Sequence, residues 1–545
     1  MIEFIEKHPV KSFLLVCAAI FLANLDVIYV NIMEARNFVT AREMLVNQNW
    51  ILTTMNDFPR YEKPPLPTWL TAISAALFGV HNLFGLRLPA ALVAILLVYF
   101  TYKISMLLFS NKKLSFYTAL ILPTSFYIIF SGRNGQWDIF THSFMVVSIY
   151  YTLKMLKENN KLWFNTIIAG VFFGASFLSK GPVSLYALWL PFLIAVGVAY
   201  RKDVKRNRIL PFILTLVIGL IIGGSWFVYV RYADPKSFLD IATEEAANWT
   251  SYNVRPFYYY WSFFTQSGIW TIPAFVALLF PYLKNKVSNK QGYIFTFTWT
   301  IAAVVLLSII PEKKSRYLLP VLIPMALNTA FYIEYITNNF KTFTKGEKAP
   351  VYFNFGLIAL IGIVFPVGGF IFLKDKLDGY YLSFILISVA LFAIVFFMFY
   401  FLRKKQLENV FYLTIAFIMA VMVFGFPLAN TFNKNENFNN IDKLQTSLKL
   451  YSLGEPAPEM IWHLGHAAPE IEHHKVINFP SENEFGILTN HENEEKLNRI
   501  FGKTHQIEFV ETFDINYTAN PSDKAYKNRL TSNYYIIKKK ITNEY

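Results

Sequence analysis

The sequence predicts a polytopic α-helical membrane protein with a small C-terminal α/β domain outside the membrane. Only 16% of its 545 residues are charged and 54% are hydrophobic, whereas soluble globular proteins carry about 25% charged residues. Apolar runs of about 20 residues, the length that a helix needs to cross a bilayer, recur as far as residue 430. Beyond that point the chain becomes polar and rich in Asn. The first two observations indicate a membrane protein, and the third indicates a separate domain.

The predicted spans are long apolar runs with few charges. They lie at about 11–30, 86–109, 113–131, 138–156, 162–179, 183–200, 209–231, 261–283, 292–310, 317–338, 351–373, 380–402 and 409–429. The run at 66–80 is shorter and carries Thr68, Thr71 and Ser74, so we expect it to lie at the interface or to dip back into the membrane.

Loop charges set the predicted orientation. If the N-terminus is cytoplasmic, the loops on that side are all basic, namely 111–113, 154–161, 201–208, 284–290, 341–348 and 403–406. Outer loops mix acids and bases. This bias supports about thirteen spans with the C-terminus outside. It also explains the net charge of +14 without a nucleic-acid partner.

We therefore expect a transmembrane domain at 1–430, with its first outer loop at 31–85, and an extracytoplasmic α/β domain at 431–545. The latter has strand patterns at 474–479, 507–515 and 533–540 and a helical pattern at 493–502.

No metal site is predicted. The histidines at 463, 466, 473 and 474 have no Cys or ordered ligand pattern beside them, so they are interpreted as surface groups. The single cysteine, Cys17, excludes an intramolecular disulfide.

The notable charges lie at span ends and in outer loops, whereas channels and transporters place theirs near the middle of spans. They are Glu34, Arg36, Arg42, Glu43, Asp57, Arg60, Glu62, Lys63, Arg133, Asp138, Lys180, Arg231, Arg255, Lys313, Lys314 and Arg316. Lys and Arg can hold a phosphate, and carboxylates can act as a base or stabilise a sugar transition state. The set favours a reaction on an anionic lipid head group at the membrane surface. The alternative is a set of solvated loop charges.

Several ordered segments resemble a known family. They are "EARNFVTAREMLVNQNWILTTMNDFPRYEKPPLPTWLTAISAALFG" (34–79), "RLPAAL" (87–92), "RNGQWDIFTHSF" (133–144), "FLSKGPVSL" (177–185), "RPFYYY" (255–260) and "SRYLLPVLIP" (315–324). The chain resembles the membrane-embedded glycosyltransferases of the aminoarabinose (lipid A) transferase and protein O-mannosyltransferase superfamily, which have the GT-C fold. The first segment, with "EKPP", is the most specific.

The resemblance implies an inverting, metal-independent and cofactor-free transfer of a sugar or amino sugar from a polyprenyl-phosphate donor. It implies a monomeric enzyme of the bacterial inner membrane whose active site faces the periplasm. Lys63, Arg255 and Tyr317 would contact the donor phosphate, and Asp138 matches the second acidic position. Glu62, Arg36, Arg133, Lys180 and Arg316 would line the site.

One position departs from the family pattern. The first loop of the family begins with an Asp-Glu pair, but Met33 occupies the Asp position here and leaves Glu34 alone. Either Glu34 or Asp26 would supply the missing carboxylate. Asp26 could instead be a buried carboxylate that pairs with an Arg for structure. An acceptor that is itself a phosphate is already ionised and needs no strong base, so a lipid A-type acceptor fits this departure best.

Other functions remain open at this point. Protein or cell-surface glycan O-glycosylation is the alternative within the class. A lipid flippase or transporter is the rival from another class, although the sequence has no inverted repeat and no midplane charges. A scaffold with a decayed site is the third. The oligosaccharyltransferase Trp-Trp-Asp motif is absent.

Overall fold

The computed structural model describes residues 7–433, 435–473 and 476–540. In chain order its α-helices are α1 Pro9–Phe21, α2 Ile32–Val46, α3 Leu66–Phe78, α4 Leu83–Phe109, α5 Lys112–Ile121, α6 Phe126–Gly132, α7 Trp137–Lys157, α8 Leu162–Lys180, α9 Leu190–Ala199, α10 Ile209–Ala233, α11 Pro235–Ser251, α12 Thr271–Ala277, α13 Phe280–Leu283, α14 Lys290–Ile309, α15 Leu319–Asn339, α16 Lys345–Leu373, α17 Tyr381–Arg403, α18 Leu407–Ala420, α19 Pro458–Leu464 and α20 Glu494–Phe501. The strands are β1 Thr54–Met55, β2 Phe58–Pro59, β3 Leu450–Leu453, β4 Glu472–His473, β5 Val476–Ile477, β6 Glu484–Thr489, β7 His505–Asp514 and β8 Thr531–Lys539.

Nine helical segments within the described ranges are long and apolar enough to cross a membrane. They are Leu83–Phe109, Trp137–Lys157, Leu162–Lys180, Ile209–Ala233, Lys290–Ile309, Ser315–Thr342, Lys345–Lys376, Tyr381–Arg403 and Leu407–Phe432. Helices α5 and α6 add a tenth if they count as one span, bent by 66°. Pro123 lies in the break between them, where it cannot donate a backbone hydrogen bond.

The multi-span helical architecture is thereby confirmed, whereas the count of thirteen is not. The predicted spans at 11–30 and 183–200 contain only the shorter apolar helices Pro9–Phe21 and Leu185–Ala199. The predicted span at 261–283 is broken into 3₁₀ turns, α12 and α13, with Gly268 in a left-handed conformation at φ 66°. The short apolar run at 66–80 forms α3, which has 13 residues.

The described residues cluster into two compact units. The first contains the chain up to Val27, Glu62–Pro67 and Arg87–Leu428. The second contains Ile28–Tyr61, Thr68–Leu86 and the chain from Ala429 onward.

Within the first unit, glycines allow α8 and α10 to approach closely. Gly170 and Gly174 on α8 face Ile218 and Ile222, and a Cβ at Gly174 would lie 2.6 Å from the Cβ of Ile222. In return, a Cβ at Gly223 on α10 would lie 2.5 Å from the Cβ of Phe177. Small residues four apart are a common device for packing membrane helices.

Arg133, between α6 and α7, terminates α1. Its guanidinium donates hydrogen bonds to the backbone carbonyls of Ile20 and Ala23, both at 2.7 Å, and of Asn24 at 2.6 Å. These carbonyls belong to the end of α1 and the following turn, where a helix leaves carbonyl groups unsatisfied. The guanidinium also lies 4.3 Å from the ring centroid of Phe426.

Replacing Arg133 with Met is therefore expected to destabilise the protein by about 3 kcal/mol, because buried carbonyls lose charged donors. The measurement is the Tm of the purified protein in detergent. Arg231→Met, at an exposed position near the end of α10, is the matched control and should melt like the wild type. An unchanged Tm for Arg133→Met would contradict the assigned role.

The second unit contains a mixed sheet with the strand order β3-β6-β8-β7. β3 runs parallel to β6, and the other neighbours are antiparallel. Leu497 and Phe501 of α20 pack against Phe485 and Ile537 of the sheet. The predicted strands at 507–515 and 533–540 and the helix at 493–502 are confirmed as β7, β8 and α20. The strand predicted at 474–479 is observed only at β5, and residues 474–475 lie outside the described ranges.

The segment 28–61 folds against the C-terminal segment within this unit. Buried Arg42 donates to the carbonyls of Ile461 at 3.2 Å and Trp462 at 3.4 Å, near the end of α19. Buried Glu43 accepts from Thr54 Oγ1 at 2.6 Å and from the backbone N–H of Asn56 at 2.7 Å, which holds the β1–β2 hairpin. Burial raises the pKa of Glu43 and lowers the pKa of Arg42. These two charges of the first loop are therefore structural.

Candidate active site

The centre of the candidate site is a buried ion pair in the first unit. Asp138 lies in the first turn of α7, where the helix dipole favours a carboxylate. Lys180 is the last residue of α8, and its Nζ donates to Asp138 Oδ1. Their side chains are only 2% and 7% exposed. Asp138 Oδ2 is buried without a hydrogen-bond partner among the described residues, so this carboxylate keeps one acceptor oxygen available.

Arg316 and Tyr317 join this pair from the 3₁₀ turn Ser315–Leu318, which leads into α15. The charge of Arg316 acts on both Asp138 and Lys180. Lys180 Nζ lies 5.1 Å from the centroid of the Tyr317 ring, within cation–π range. The end of α8 and the starts of α7 and α15 thus bring two cations, a carboxylate and a tyrosine together.

Glu312 and Lys314 extend the cluster. Lys314 Nζ lies 2.6 Å from Glu312 Oε1, and Tyr317 Oη donates to the same carboxylate oxygen at 3.1 Å. The ammonium group of Lys314 also lies 4.7 Å from the ring centroid of Tyr252. Sequence reasoning noted Lys314 but missed Glu312, whose only signal was its place beside the basic run in "PEKKSRY".

Backbone hydrogen bonds hold the segment after α11 against this cluster. Val254 forms a β-bridge with Glu312, and the N–H of Arg255 donates to Pro311 O at 3.1 Å. Lys313 Nζ donates to the carbonyls of Ile310 at 2.5 Å and Arg255 at 3.1 Å, and burial lowers its pKa. Lys313 thus has a structural role, whereas the side chain of Arg255 is exposed.

Lys63 of "RYEKPPLP" is the remaining cation. Its Nζ forms an ion pair with Glu245 Oε2 of α11 at 2.9 Å, with the two side chains 22% and 38% exposed. The charge of Lys63 also acts on Lys180, so Lys63 belongs to the same electrostatic cluster. Glu62 beside it is half-buried. Glu245 was missed by sequence reasoning because only tertiary structure pairs it with Lys63.

Asp26 and Arg133 lie in a different part of the first unit. Asp26 is exposed, and its charge acts on Arg133. Arg133 donates its described hydrogen bonds to carbonyls at the end of α1 and in the following turn. Asp26 is therefore not the buried carboxylate that the structural interpretation requires, and its role stays a prediction.

Glu34 and Arg36 belong to the second unit. Glu34 is buried and completes a capping box at the start of α2: its Oε2 accepts from the backbone N–H of Asn31 at 3.4 Å, while Asn31 Oδ1 accepts from the N–H of Glu34 at 3.3 Å. Arg36 is half-buried one turn before Thr40, which donates to its carbonyl.

Among the described residues, no group of three or more His, Cys, Asp or Glu is arranged to hold a metal ion. His463 is half-buried and His466 is exposed. His474 lies outside the described ranges.

Comparisons with known proteins agree with this architecture. Residues 62–228 match the family model described as dolichyl-phosphate-mannose-protein mannosyltransferase. The chain is 25% identical over 348 residues to undecaprenyl phosphate-alpha-4-amino-4-deoxy-L-arabinose arabinosyl transferase 1 of Proteus mirabilis, covering 61% of each chain. It is 25% identical over 306 residues to the transferase of the same name from Pseudomonas fluorescens, covering 54% of this chain and 52% of that protein. The chain thus matches about half to three fifths of the length of these relatives.

The fold is similar to that of a solved structure over nearly the whole chain. The crystal structure of ArnT from Cupriavidus metallidurans bound to undecaprenyl phosphate superposes with a TM-score of 0.68 at 15% identity, covering 97% of both chains. The apo state of the same protein gives a TM-score of 0.66. These findings confirm the resemblance found in the sequence, and the chain has the fold of the membrane-embedded GT-C glycosyltransferases of the aminoarabinose transferase and O-mannosyltransferase type.

Proposed function

We propose that this protein is a glycosyltransferase that moves a sugar from a polyprenyl-phosphate donor to a lipid A-type acceptor at the periplasmic face of the bacterial inner membrane. The observation that carries the proposal is the buried Asp138–Lys180 pair, joined by Arg316 and Tyr317 at the ends of three helices. A carboxylate among several cations suits a reaction in which a phosphate leaves a sugar.

The names of the relatives support the choice of donor. Those proteins are arabinosyl transferases that use undecaprenyl phosphate-4-amino-4-deoxy-L-arabinose, and the Cupriavidus protein was solved with undecaprenyl phosphate. We therefore assign a polyprenyl-phosphate-linked amino sugar as the donor of this chain.

The cations have a direct role in this chemistry. Transfer forms a bond between an acceptor oxygen and the anomeric carbon, and it breaks the bond from that carbon to the donor phosphate oxygen. The bonding electrons stay with the phosphate, which becomes more negative as it leaves. Lys63, Lys180 and Arg316 stabilise that charge through charge-assisted hydrogen bonds, and Tyr317 and the exposed Arg255 supply further donors.

We assign to Asp138 the role of stabilising the sugar in the transition state. The transition state of glycosyl transfer has oxocarbenium character, and a fixed negative charge stabilises it. An acceptor phosphate is already ionised, so it attacks without a base. Transfer to such an acceptor therefore needs no carboxylate at position 33, which Met33 occupies.

Protein O-glycosylation is the second candidate, and the mannosyltransferase family model over 62–228 favours it. A hydroxyl acceptor must lose its proton, so Asp138 would then act as general base.

Mass spectrometry of lipid A and of envelope glycoproteins from a deletion strain tests the proposal. Loss of an amino sugar from lipid A, restored by the wild-type gene, is the expected result. Loss of a glycan from proteins instead would select the second candidate. Unchanged lipid A and proteins, together with no transfer by the purified protein, would refute both and favour the flippase or scaffold hypotheses.

Glu34→Gln separates a catalytic from a structural role for Glu34. Gln also completes a capping box, so we expect an unchanged Tm and a transfer rate within about ten-fold of the wild type, below the usual contribution of a catalytic acid or base. Asp26→Asn should behave likewise. Asn31→Ala is the structural control and should cost about 1 kcal/mol. A loss of activity at an unchanged Tm in Glu34→Gln would return the catalytic role to Glu34.

A further inference from the structure

The second unit contains a cavity of about 170 Å³ that the chemistry above does not use. Three segments line it: Tyr29–Ile32 just before α2, one face of α19, and the connection between β7 and β8. We call it the tyrosine cavity and define it by Tyr29, Glu459, His463, Tyr517, Lys527 and Arg529.

One wall of the tyrosine cavity is aromatic. The rings of Tyr29 and Tyr517 stack with centroids 5.0 Å apart and planes 11° apart. The ring of Phe438 also contacts that of Tyr517, with centroids 4.5 Å apart. A rigid aromatic surface of this kind offers a sugar ring an apolar face, while the hydroxyl of each tyrosine remains a polar group.

Another part of the lining is polar and is held by hydrogen bonds. Buried Glu459 accepts a bidentate pair of hydrogen bonds from Arg529, at 2.7 and 2.8 Å. His463 follows Glu459 by one helical turn, so it presents its ring on the same face of α19. Burial lowers the pKa of His463, so its neutral imidazole can both donate to and accept from sugar hydroxyls. Asp442 and Glu459 are the charges that act on this imidazole.

Lys527 supplies a positive charge that can bind an anionic ligand in the tyrosine cavity. Its backbone N–H donates to Asn516 Oδ1 at 3.1 Å, and its carbonyl accepts from Asn516 Nδ2 at 3.2 Å, which fixes its position on the rim. Its ammonium group makes no ion pair within the described ranges, whereas the charge of Arg529 is balanced by Glu459. The tyrosine cavity therefore fits a sugar with an anionic substituent.

We propose that the tyrosine cavity binds the phosphorylated sugar head group of the acceptor lipid. The assignment to the acceptor rests on the proposed function, whereas the preference for a sugar phosphate rests on the tyrosine cavity alone. The tyrosine stack takes the sugar ring, His463 takes hydroxyl groups, and Lys527 takes a phosphate of the head group other than the one that attacks the donor sugar.

Binding is tested with the purified full chain in lipid nanodiscs and three soluble probes: glucosamine 1-phosphate, glucosamine and inorganic phosphate. Calorimetry or ligand-observed NMR should rank glucosamine 1-phosphate first. Lys527→Ala should weaken its binding about five-fold, the value of one exposed charge pair, and Tyr29→Ala should also weaken it. Both side chains are exposed, so neither substitution is expected to disturb the fold. Lys524→Ala, at another exposed lysine of the same connection, is the matched control.

The acceptor assignment is tested by steady-state transfer to lipid A in the same nanodiscs. Lys527→Ala should raise KM for lipid A about five-fold while leaving kcat and KM for the donor unchanged. Probe binding with an unchanged KM for lipid A would overturn the assignment to the acceptor in favour of a free sugar phosphate. No probe binding, or equal binding by Lys527→Ala and the wild type, would overturn the sugar-phosphate site. If the wild-type protein binds glucosamine 1-phosphate but transfers no sugar, the proposed function is refuted and the sugar-phosphate site stands.

Discussion

Replacing Asp138 with Asn is expected to lower the rate of sugar transfer by about 10²- to 10³-fold, the usual cost of losing one preorganised electrostatic contribution to the transition state. Asn has nearly the same shape but no negative charge, so the stabilisation of a positively charged sugar in the transition state disappears. The measurement is kcat/KM for transfer to lipid A by the purified protein. Asp240→Asn, at an exposed position on α11, is the matched control and should retain full activity.

Stability has to be separated from chemistry in this variant. Lys180 is only 7% exposed, and the substitution leaves its ammonium group without its carboxylate partner. Breaking a buried ion pair in this way costs about 3–5 kcal/mol. The double variant Asp138→Asn with Lys180→Met removes both charges, so it should recover much of the lost Tm without recovering activity. Transfer within ten-fold of the wild type in folded Asp138→Asn would exclude Asp138 as the catalytic carboxylate.

The membrane architecture could be predicted because it depends on local apolar content. A run such as 209–231 must be buried in lipid or protein whatever its neighbours are, and it forms α10 as expected. The span predicted at 11–30 fails for a reason that the sequence does not display. Its helix ends at Phe21, where the guanidinium of Arg133, more than 100 residues away, donates to the carbonyls of Ile20 and Ala23.

The residues of the candidate site could likewise be predicted only in part. Asp138, Lys180 and Tyr317 were found because they stand in segments that resemble a known family. Two further acids of the cluster were not found. Glu312 accepts from Tyr317, five residues away, but no motif marks it, and Glu245 meets Lys63 only through a tertiary contact. Burial also decided which predicted charges are structural. The charged side chains of Arg42, Glu43 and Lys313 are of the same types as those in the site. Each of them, however, forms hydrogen bonds with backbone groups that lie close to it in the fold.

Lys63→Ala is expected to lower kcat/KM for the donor by about 100-fold, with a near-normal Tm. The prolines at 64, 65 and 67 restrict the backbone that leads from Lys63 into α3, and the ion pair with Glu245 orients the ammonium group of Lys63. A hydrogen bond from an ammonium to a phosphate is worth about 1.5–3 kcal/mol, which corresponds to a loss of about 10- to 100-fold. Fold stability should change little, because the ion pair with Glu245 is partly exposed and such pairs contribute at most about 1 kcal/mol.

Glu245→Gln is the control that distinguishes donor binding from the ion pair itself. It breaks the same pair but leaves the ammonium group of Lys63 in place. A donor phosphate has to displace Glu245 from Lys63, so removing the carboxylate should lower KM for the donor, by no more than about five-fold given the weakness of the pair. Opposite effects of the two substitutions on KM for the donor would identify Lys63 as a phosphate ligand that Glu245 occupies in the free enzyme. Equal effects, or full activity of Lys63→Ala, would make "RYEKPPLP" a connector between helices.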